Sequence, residues 1–148
     1  MGKRKTTWII VADGSRGRIL SNAGPGTGLS LVAEHEAPQA RAHTAELGSD
    51  RPGRTADSMT PARHAMEPRV DWQRQEKERF VARLAEEIAA ARERYDRLVL
   101  VAPPRVLGEL NRRLDEATRA RIVGTLAKDL TWVPLPELAP HLDDVVKL

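Results

Sequence analysis

The clearest strand signal in the chain is Leu98-Val99-Leu100-Val101-Ala102, which is followed directly by Pro103-Pro104. These residues are apolar on both faces of a strand, which is typical of a central strand covered on two sides. Proline lacks the backbone N–H that a sheet requires, so the proline pair ends the strand. The sequence therefore predicts the centre of a buried sheet here, with a helix that starts at Pro104, where proline is well tolerated.

Helices are predicted on both sides of this strand. Asp71 can cap a helix that runs to about Tyr95. Its apolar residues recur at a spacing of four and form an inner face: Phe80, Leu84 and Ile88. The helix after the strand carries a similar stripe: Val106, Leu107, Leu110 and Leu114. An extended segment within residues 119–130 and a short helix within residues 134–142 complete this half of the chain.

The first quarter of the chain has the pattern of three antiparallel strands. An apolar run ending at Ala12 is followed by the turn Asp13-Gly14-Ser15, after which extended residues resume. A third strand within residues 29–36 is expected to place Leu29, Leu31 and Ala33 on one face. Because the later strands need helical crossovers, the order βββαβαβα predicts an α/β fold with a five-stranded mixed sheet and helices packed on it.

Residues 38–70 are predicted to form a long loop between the third strand and the long helix. Apolar periodicity is absent there, and prolines recur at positions 38, 52, 61 and 68. A compact domain rarely contains so long a segment without secondary structure unless the segment is functional or disordered. The loop is therefore the first place to look for function.

Composition limits the class of protein. The 148 residues fit one domain, 1–148, with 41% hydrophobic and 30% charged residues, which is typical of a globular protein. With no cysteine, disulfides and thiolate chemistry are excluded, and a cytoplasmic location is expected. The apolar run after Lys3-Arg4-Lys5 is too short for a signal peptide. The sequence contains no run of about 18 apolar residues, so no membrane-spanning helix is expected.

Several segments, in their order and spacing, resemble the host attachment protein family across nearly the whole chain. The N-terminal segments are Trp8-Ile9-Ile10-Val11-Ala12-Asp13-Gly14 with Arg16 and Arg18, then Ser49-Asp50-Arg51-Pro52-Gly53-Arg54 with Asp57-Ser58, and Arg63-His64 to Glu67-Pro68. The later segments are Phe80, the strand at residues 98–104, Leu107-Gly108-Glu109-Leu110 and Lys128-Asp129-Leu130-Thr131.

The resemblance implies a bacterial protein required for attachment to host cells. It also implies an RNase H-like fold similar to the middle domain of archaeal and eukaryotic peptide-chain release factors. In those factors a Gly-Gly-Gln tripeptide promotes peptidyl-tRNA hydrolysis, and this sequence contains no Gly-Gly-Gln. No catalytic residue and no cofactor can therefore be carried over.

The candidate binding residues are mainly arginines, whose forked guanidinium donors suit phosphate groups. They are Arg16, Arg18, Arg41, Asp50, Arg51, Arg54, Arg63 and His64. The first two lie in a basic N-terminal segment, and the others lie in the predicted loop. Four acidic residues in that loop leave open the alternative that it is solvated or paired with itself.

Metal and stacking chemistry have structural alternatives. A two-metal nuclease site needs several clustered carboxylates, whereas Asp13 lies in a turn where aspartate is expected for local reasons, so no metal ligands are assigned. Trp8 and Trp132 lie at strand ends, where a ring could stack on a base. Large aromatic residues at strand ends more often cap a core, and we expect that role for both.

Three functions remain open from the sequence. The favoured one is a noncatalytic cytoplasmic binding module for RNA or a ribosome-associated partner. The alternatives are a surface adhesion factor, as the family name implies, and a hydrolase of peptidyl-tRNA or another ester that uses a site other than Gly-Gly-Gln. The oligomeric state is not determined by the sequence.

Overall fold

The structure is a computed structural model that describes residues 5–37 and 59–148, with side chains from residue 72 onward in the second segment. Its strands are β1 (Thr7–Ala12), β2 (Arg16–Asn22), β3 (Ser30–Glu36), β4 (Arg97–Val101) and β5 (Ile122–Leu126). The described residues form a five-stranded sheet in the order β3-β2-β1-β4-β5. β1, β2 and β3 pair antiparallel, whereas β1, β4 and β5 are parallel. The predicted mixed sheet is confirmed.

Helices lie between and after the later strands. They are α1 (Met59–Ala90), α2 (Pro104–Arg113), α3 (Glu116–Arg119) and α4 (Ala139–Leu142). Short 3₁₀ helices follow α1 at Arg92–Arg94 and precede α4 at Leu135–Glu137. None of the helices in the described ranges is long and apolar enough to cross a membrane.

Alternate residues of the central strands enter two hydrophobic layers, because successive side chains of a strand point to opposite faces. In the first layer, Ile10 and Leu100 pack with the inner faces of α1 and α2. In the second layer, Ile9 and Val99 pack with the segment that follows β5. The sheet is therefore covered on both faces, as the apolar run in β4 predicted.

The inner face of α1 includes the predicted residues Phe80, Leu84 and Ile88, which are all buried, together with Val81 and Ala85. α1 ends at Ala90, so Tyr95 lies beyond the helix instead of at its end. Its ring stacks on Trp8 with 4.9 Å between ring centroids, and its hydroxyl donates to the Ile88 carbonyl at 2.8 Å. The predicted core role of Trp8 is confirmed.

The C-terminal part of the predicted loop is helical. α1 begins at Met59, so residues 59–70 are helical and the prediction of a loop through residue 70 is wrong there. Pro61 lies in the first helical turn, where its missing N–H has no helical partner to lose. This stretch also lacks an apolar stripe, so periodicity gave no signal. Residues 38–58 lie outside the described residues.

The predicted face of β3 is also wrong. Leu29 packs on the second layer, Ala33 packs on the first, and Leu31 is 48% exposed. The pairing of β2 with β3 shifts between Ile19 and Leu20, which pair with Ala33 and Leu31. Such a bulge inserts an extra residue, so strict alternation along the strand is lost.

Candidate functional site

A cleft of about 910 Å³ lies where the parallel strands end. The carboxyl ends of parallel strands meet at one edge of a sheet, and open α/β sheets commonly bind ligands outside that edge. Here the wall is formed by the turn Asp13-Gly14-Ser15 after β1, the start of α2 after β4, Asp129 after β5, and one side of α1. We call this the carboxyl-edge cleft.

Asp13 organises the turn at the base of the carboxyl-edge cleft. Its Oδ1 accepts hydrogen bonds from the backbone N–H groups of Ser15 and Arg16, each at 2.8 Å. The hydroxyl of Thr131 lies 3.1 Å from Asp13 Oδ2 and 2.6 Å from Asp129 Oδ1. The two carboxylates therefore share one hydroxyl, which joins the β1–β2 turn to the segment after β5. No cluster of three acidic or histidine side chains that could hold a metal ion occurs in residues 5–37 and 72–148.

Cationic side chains from two helices line the carboxyl-edge cleft. Arg74 and Lys77 lie three positions apart on α1, so they share a face, and Arg105 lies in the first turn of α2. None of these three cations forms an ion pair with a residue that the structure describes. The stem of Lys77 is held against Gly14, where an added Cβ would lie 2.9 Å from Lys77 Cδ.

The acidic side chains of the carboxyl-edge cleft are mostly engaged. Glu109 forms ion pairs with both Arg112 and Arg113 on α2. The neutral Thr131 hydroxyl does not cancel the charges of Asp13 and Asp129, so these two carboxylates and Glu78 balance the three cations in number. The three cations lie on α1 and α2, whereas Asp13 and Asp129 lie on the segments after β1 and β5, so the helix side of the cleft is the side that suits an anionic ligand.

Trp132 does not line the carboxyl-edge cleft but follows Asp129, which does, and it is 68% exposed, so the prediction that it caps the core is wrong. Its indole N–H donates to the carbonyl oxygen of Asp129 at 2.7 Å. Its ring meets the edge of the His141 ring at a centroid distance of 6.4 Å. The segment after β5 turns outward here, and these two contacts fix the ring in solvent.

Arg18 and Arg16 are the predicted binding residues whose side chains are described. Arg18 is only 6% exposed, and its Nη2 donates to the carbonyl oxygen of Leu130 at 2.7 Å. Burial lowers the pKa of this guanidinium, and its Nε has no hydrogen-bond partner among the described atoms. Arg18 therefore holds the segment after β5 in place, whereas Arg16 is half-buried beside the Asp13 turn. Phosphate contact by either residue stays a prediction, and the burial of Arg18 does not favour it.

The other predicted binding residues are not placed in the carboxyl-edge cleft. Arg41, Asp50, Arg51 and Arg54 lie outside the described residues, and for Arg63 and His64 the description extends only to the helical backbone of α1. Sequence reasoning missed Arg74, Lys77 and Arg105, because charges of both signs alternate along this part of α1, as in Glu76-Lys77-Glu78-Arg79, and such a pattern is typical of a solvated helix face. The position of Arg105 just after a strand that ends in Pro103-Pro104 was the available signal.

The fold defined by this sheet is similar to part of a translation release factor. Across 96% of the chain it is similar to the crystal structure of an archaeal translation termination factor, with a TM-score of 0.53 and 15% identity, and it spans 35% of that protein's chain. The model of the family described as "Protein required for attachment to host cells" matches residues 8–142, and the chain belongs to this family. No curated protein sequence matches it.

Proposed function

We propose that this chain is a noncatalytic RNA-binding module and that the carboxyl-edge cleft is its RNA site. One observation carries the proposal: three cations without a described ion-pair partner line the cleft, and the exposed ring of Trp132 is hydrogen-bonded to the backbone of Asp129, a residue that lines it. Arginine and lysine bind phosphate groups, and an exposed aromatic ring stacks on an unpaired base. The combination suits single-stranded RNA, whose bases are available for stacking.

The fold supports a partner from the translation machinery, such as ribosomal RNA, because the similar solved structure is a translation termination factor. The chemistry of the cleft supports binding without catalysis. Asp13 and Asp129 line the cleft, but both are hydrogen-bonded to the Thr131 hydroxyl, and Asp13 also accepts two backbone N–H groups, so local hydrogen bonds account for both carboxylates and we propose no general base. We propose a cytoplasmic location for this module.

Fluorescence anisotropy with a labelled single-stranded RNA of about 20 nucleotides tests the proposal. The triple variant Arg74→Ala/Lys77→Ala/Arg105→Ala removes the cations of the carboxyl-edge cleft. For single strands, each phosphate contact contributes about 0.7 to the slope of the logarithm of the association constant against the logarithm of the salt concentration. At about 0.1 M salt each contact is therefore worth about a fivefold gain in affinity, and the loss of three contacts should weaken binding about a hundredfold. If the triple variant bound RNA as tightly as the wild type, the carboxyl-edge cleft would not be the RNA site.

The family match favours a second candidate, a factor that attaches cells to their host. A direct adhesive role requires the protein on the cell surface, whereas an RNA-binding role requires it inside. Fractionation of native cells separates the two: recovery with the ribosomes supports RNA binding, and recovery only from the surface fraction supports adhesion.

A further inference from the structure

We propose that the opposite edge of the sheet, where β1, β4 and β5 begin, is a second contact surface for the phosphate backbone of RNA. Lys5, Arg94, Arg97 and Arg121 form this amino-edge surface. It is separate from the carboxyl-edge cleft, because a strand the length of β1 separates the two edges by about 20 Å. The partner's identity rests on the proposed function, whereas the surface itself rests on the contacts below.

Backbone contacts bring these cations to one edge. The backbone N–H groups of Asp96 and Arg97 donate to the carbonyl oxygen of Thr6, at 2.8 and 3.1 Å, so Lys5 leaves the sheet beside Arg97. The N–H of Leu98 donates to the carbonyl oxygen of Arg121 at 2.8 Å, which brings the start of β5 to the same place.

Two guanidinium groups of the amino-edge surface, those of Arg94 and Arg121, are held against aromatic rings. Arg94 lies over the ring of Trp8 at 5.2 Å from the ring centroid, and Arg121 lies 6.0 Å from the centroid of Tyr95. Arg121 Nη1 also donates to the carbonyl oxygen of Tyr95 at 2.6 Å. Stacked and anchored guanidinium groups lose little side-chain entropy when they bind, so they are suited to phosphate.

The neighbouring carboxylates that could neutralise these cations are partly engaged elsewhere. Asp96 Oδ2 accepts the backbone N–H of Thr6 at 2.9 Å, and Asp115 pairs with Arg92 at 3.1 Å while capping α3. Lys5, Arg94 and Arg97 form no ion pair with any residue the structure describes. Glu93, Asp96 and Asp115 are exposed acids on the segments that carry or adjoin these cations, and they oppose them.

The test compares three variants with the same labelled RNA: the triple variant of the cleft, an amino-edge variant and a control variant. Lys5→Ala/Arg97→Ala alters the amino-edge surface without breaking a described side-chain contact, and Arg83→Ala/Lys147→Ala removes two exposed cations from outside both surfaces. We expect Lys5→Ala/Arg97→Ala to bind about 25-fold more weakly at about 0.1 M salt, because two phosphate contacts are lost. The control pair should change binding much less, and the effects of amino-edge and cleft variants should multiply.

The outcomes separate this inference from the proposed function. If Lys5→Ala/Arg97→Ala binds like the control pair while the cleft variant is weakened, the second surface is refuted and the cleft stands. If the cleft variant binds like the wild type while Lys5→Ala/Arg97→Ala is weakened, the cleft is refuted and the second surface stands. Protein that sediments with phosphatidylserine vesicles and leaves the RNA free contradicts both.

Discussion

The buried guanidinium of Arg18 donates a hydrogen bond of 2.7 Å to the carbonyl oxygen of Leu130, which lies 112 positions further along the chain. This bond joins β2 to the segment that carries Asp129, Thr131 and Trp132. An arginine that resembled a phosphate ligand in the sequence thus positions one wall of the carboxyl-edge cleft. Its contribution is to stability and to the placement of the wall.

Replacing Arg18 should destabilise the protein. Arg18→Met keeps the length of the side chain but leaves the Leu130 carbonyl without its charged donor, so we expect the free energy of unfolding to fall by about 2 kcal/mol. Urea denaturation measures this loss, with Arg16→Met on the same strand as the control. Equal midpoints for the two variants would contradict the role given to Arg18.

The hydroxyl shared by Asp13 and Asp129 leads to a second prediction. Thr131→Val keeps the shape of the side chain but removes the donor between two carboxylates, so we expect a loss of about 1–2 kcal/mol in the free energy of unfolding. Thr131→Ser restores the hydroxyl and should recover most of the loss in thermal or urea denaturation. A valine variant as stable as the serine variant would show that the bridge is unimportant.

The elements that depend on local pattern could be predicted from the sequence. The apolar run of β4 and the four-residue spacing of Phe80, Leu84 and Ile88 each specify burial by themselves, and both predictions are confirmed. The first helical turns of α1 were missed because Pro61 and the lack of an apolar stripe suggested a loop. The face of β3 was missed because a bulge is set by pairing with β2 and not by the strand alone.

The candidate site was less accessible to sequence reasoning. Arg74, Lys77 and Arg105 come together only because α1 and α2 both pack beside the carboxyl ends of the strands. Trp132 is exposed because the segment after β5 is held by Arg18 and Thr131, which are contacts over long sequence separations. Such relationships depend on the tertiary fold, so a pattern within one segment carries no record of them.

A pH dependence is expected from Asp115 at the start of α3. Hydrogen bonds from Thr118, followed by attraction to Arg92, hold the pKa of Asp115 below its ordinary value of 3.8. The charged carboxylate therefore stabilises the folded state above the unfolded pKa, and this contribution is lost as the pH falls through the lower folded-state pKa. In Thr118→Val, an NMR titration should show the Asp115 pKa raised toward its ordinary value. An unchanged Asp115 pKa in this variant would show that the Thr118 hydroxyl is not the main cause of the lowered pKa.

Trp132 provides a test of base stacking that does not depend on charge. Trp132→Ala should weaken binding to single-stranded RNA about fivefold or more, because stacking of a base on an aromatic ring contributes about 1–3 kcal/mol. Trp132→Phe should retain part of the affinity, and the salt dependence of both variants should match that of the wild type. Anisotropy titrations at several salt concentrations measure both quantities. Equal affinities for the alanine and phenylalanine variants would argue against stacking.

The binding of RNA at the carboxyl-edge cleft is tested most directly by an NMR titration of the ¹⁵N-labelled protein with single-stranded RNA. The chain contains three tryptophans, so the indole N–H signal of Trp132 can be assigned by a single substitution. We predict that RNA shifts this signal and the backbone signals of Gly14 and Arg105, and that all three shifts follow the same binding curve. RNA that shifts none of the three signals, at a concentration where anisotropy shows binding, would contradict the account.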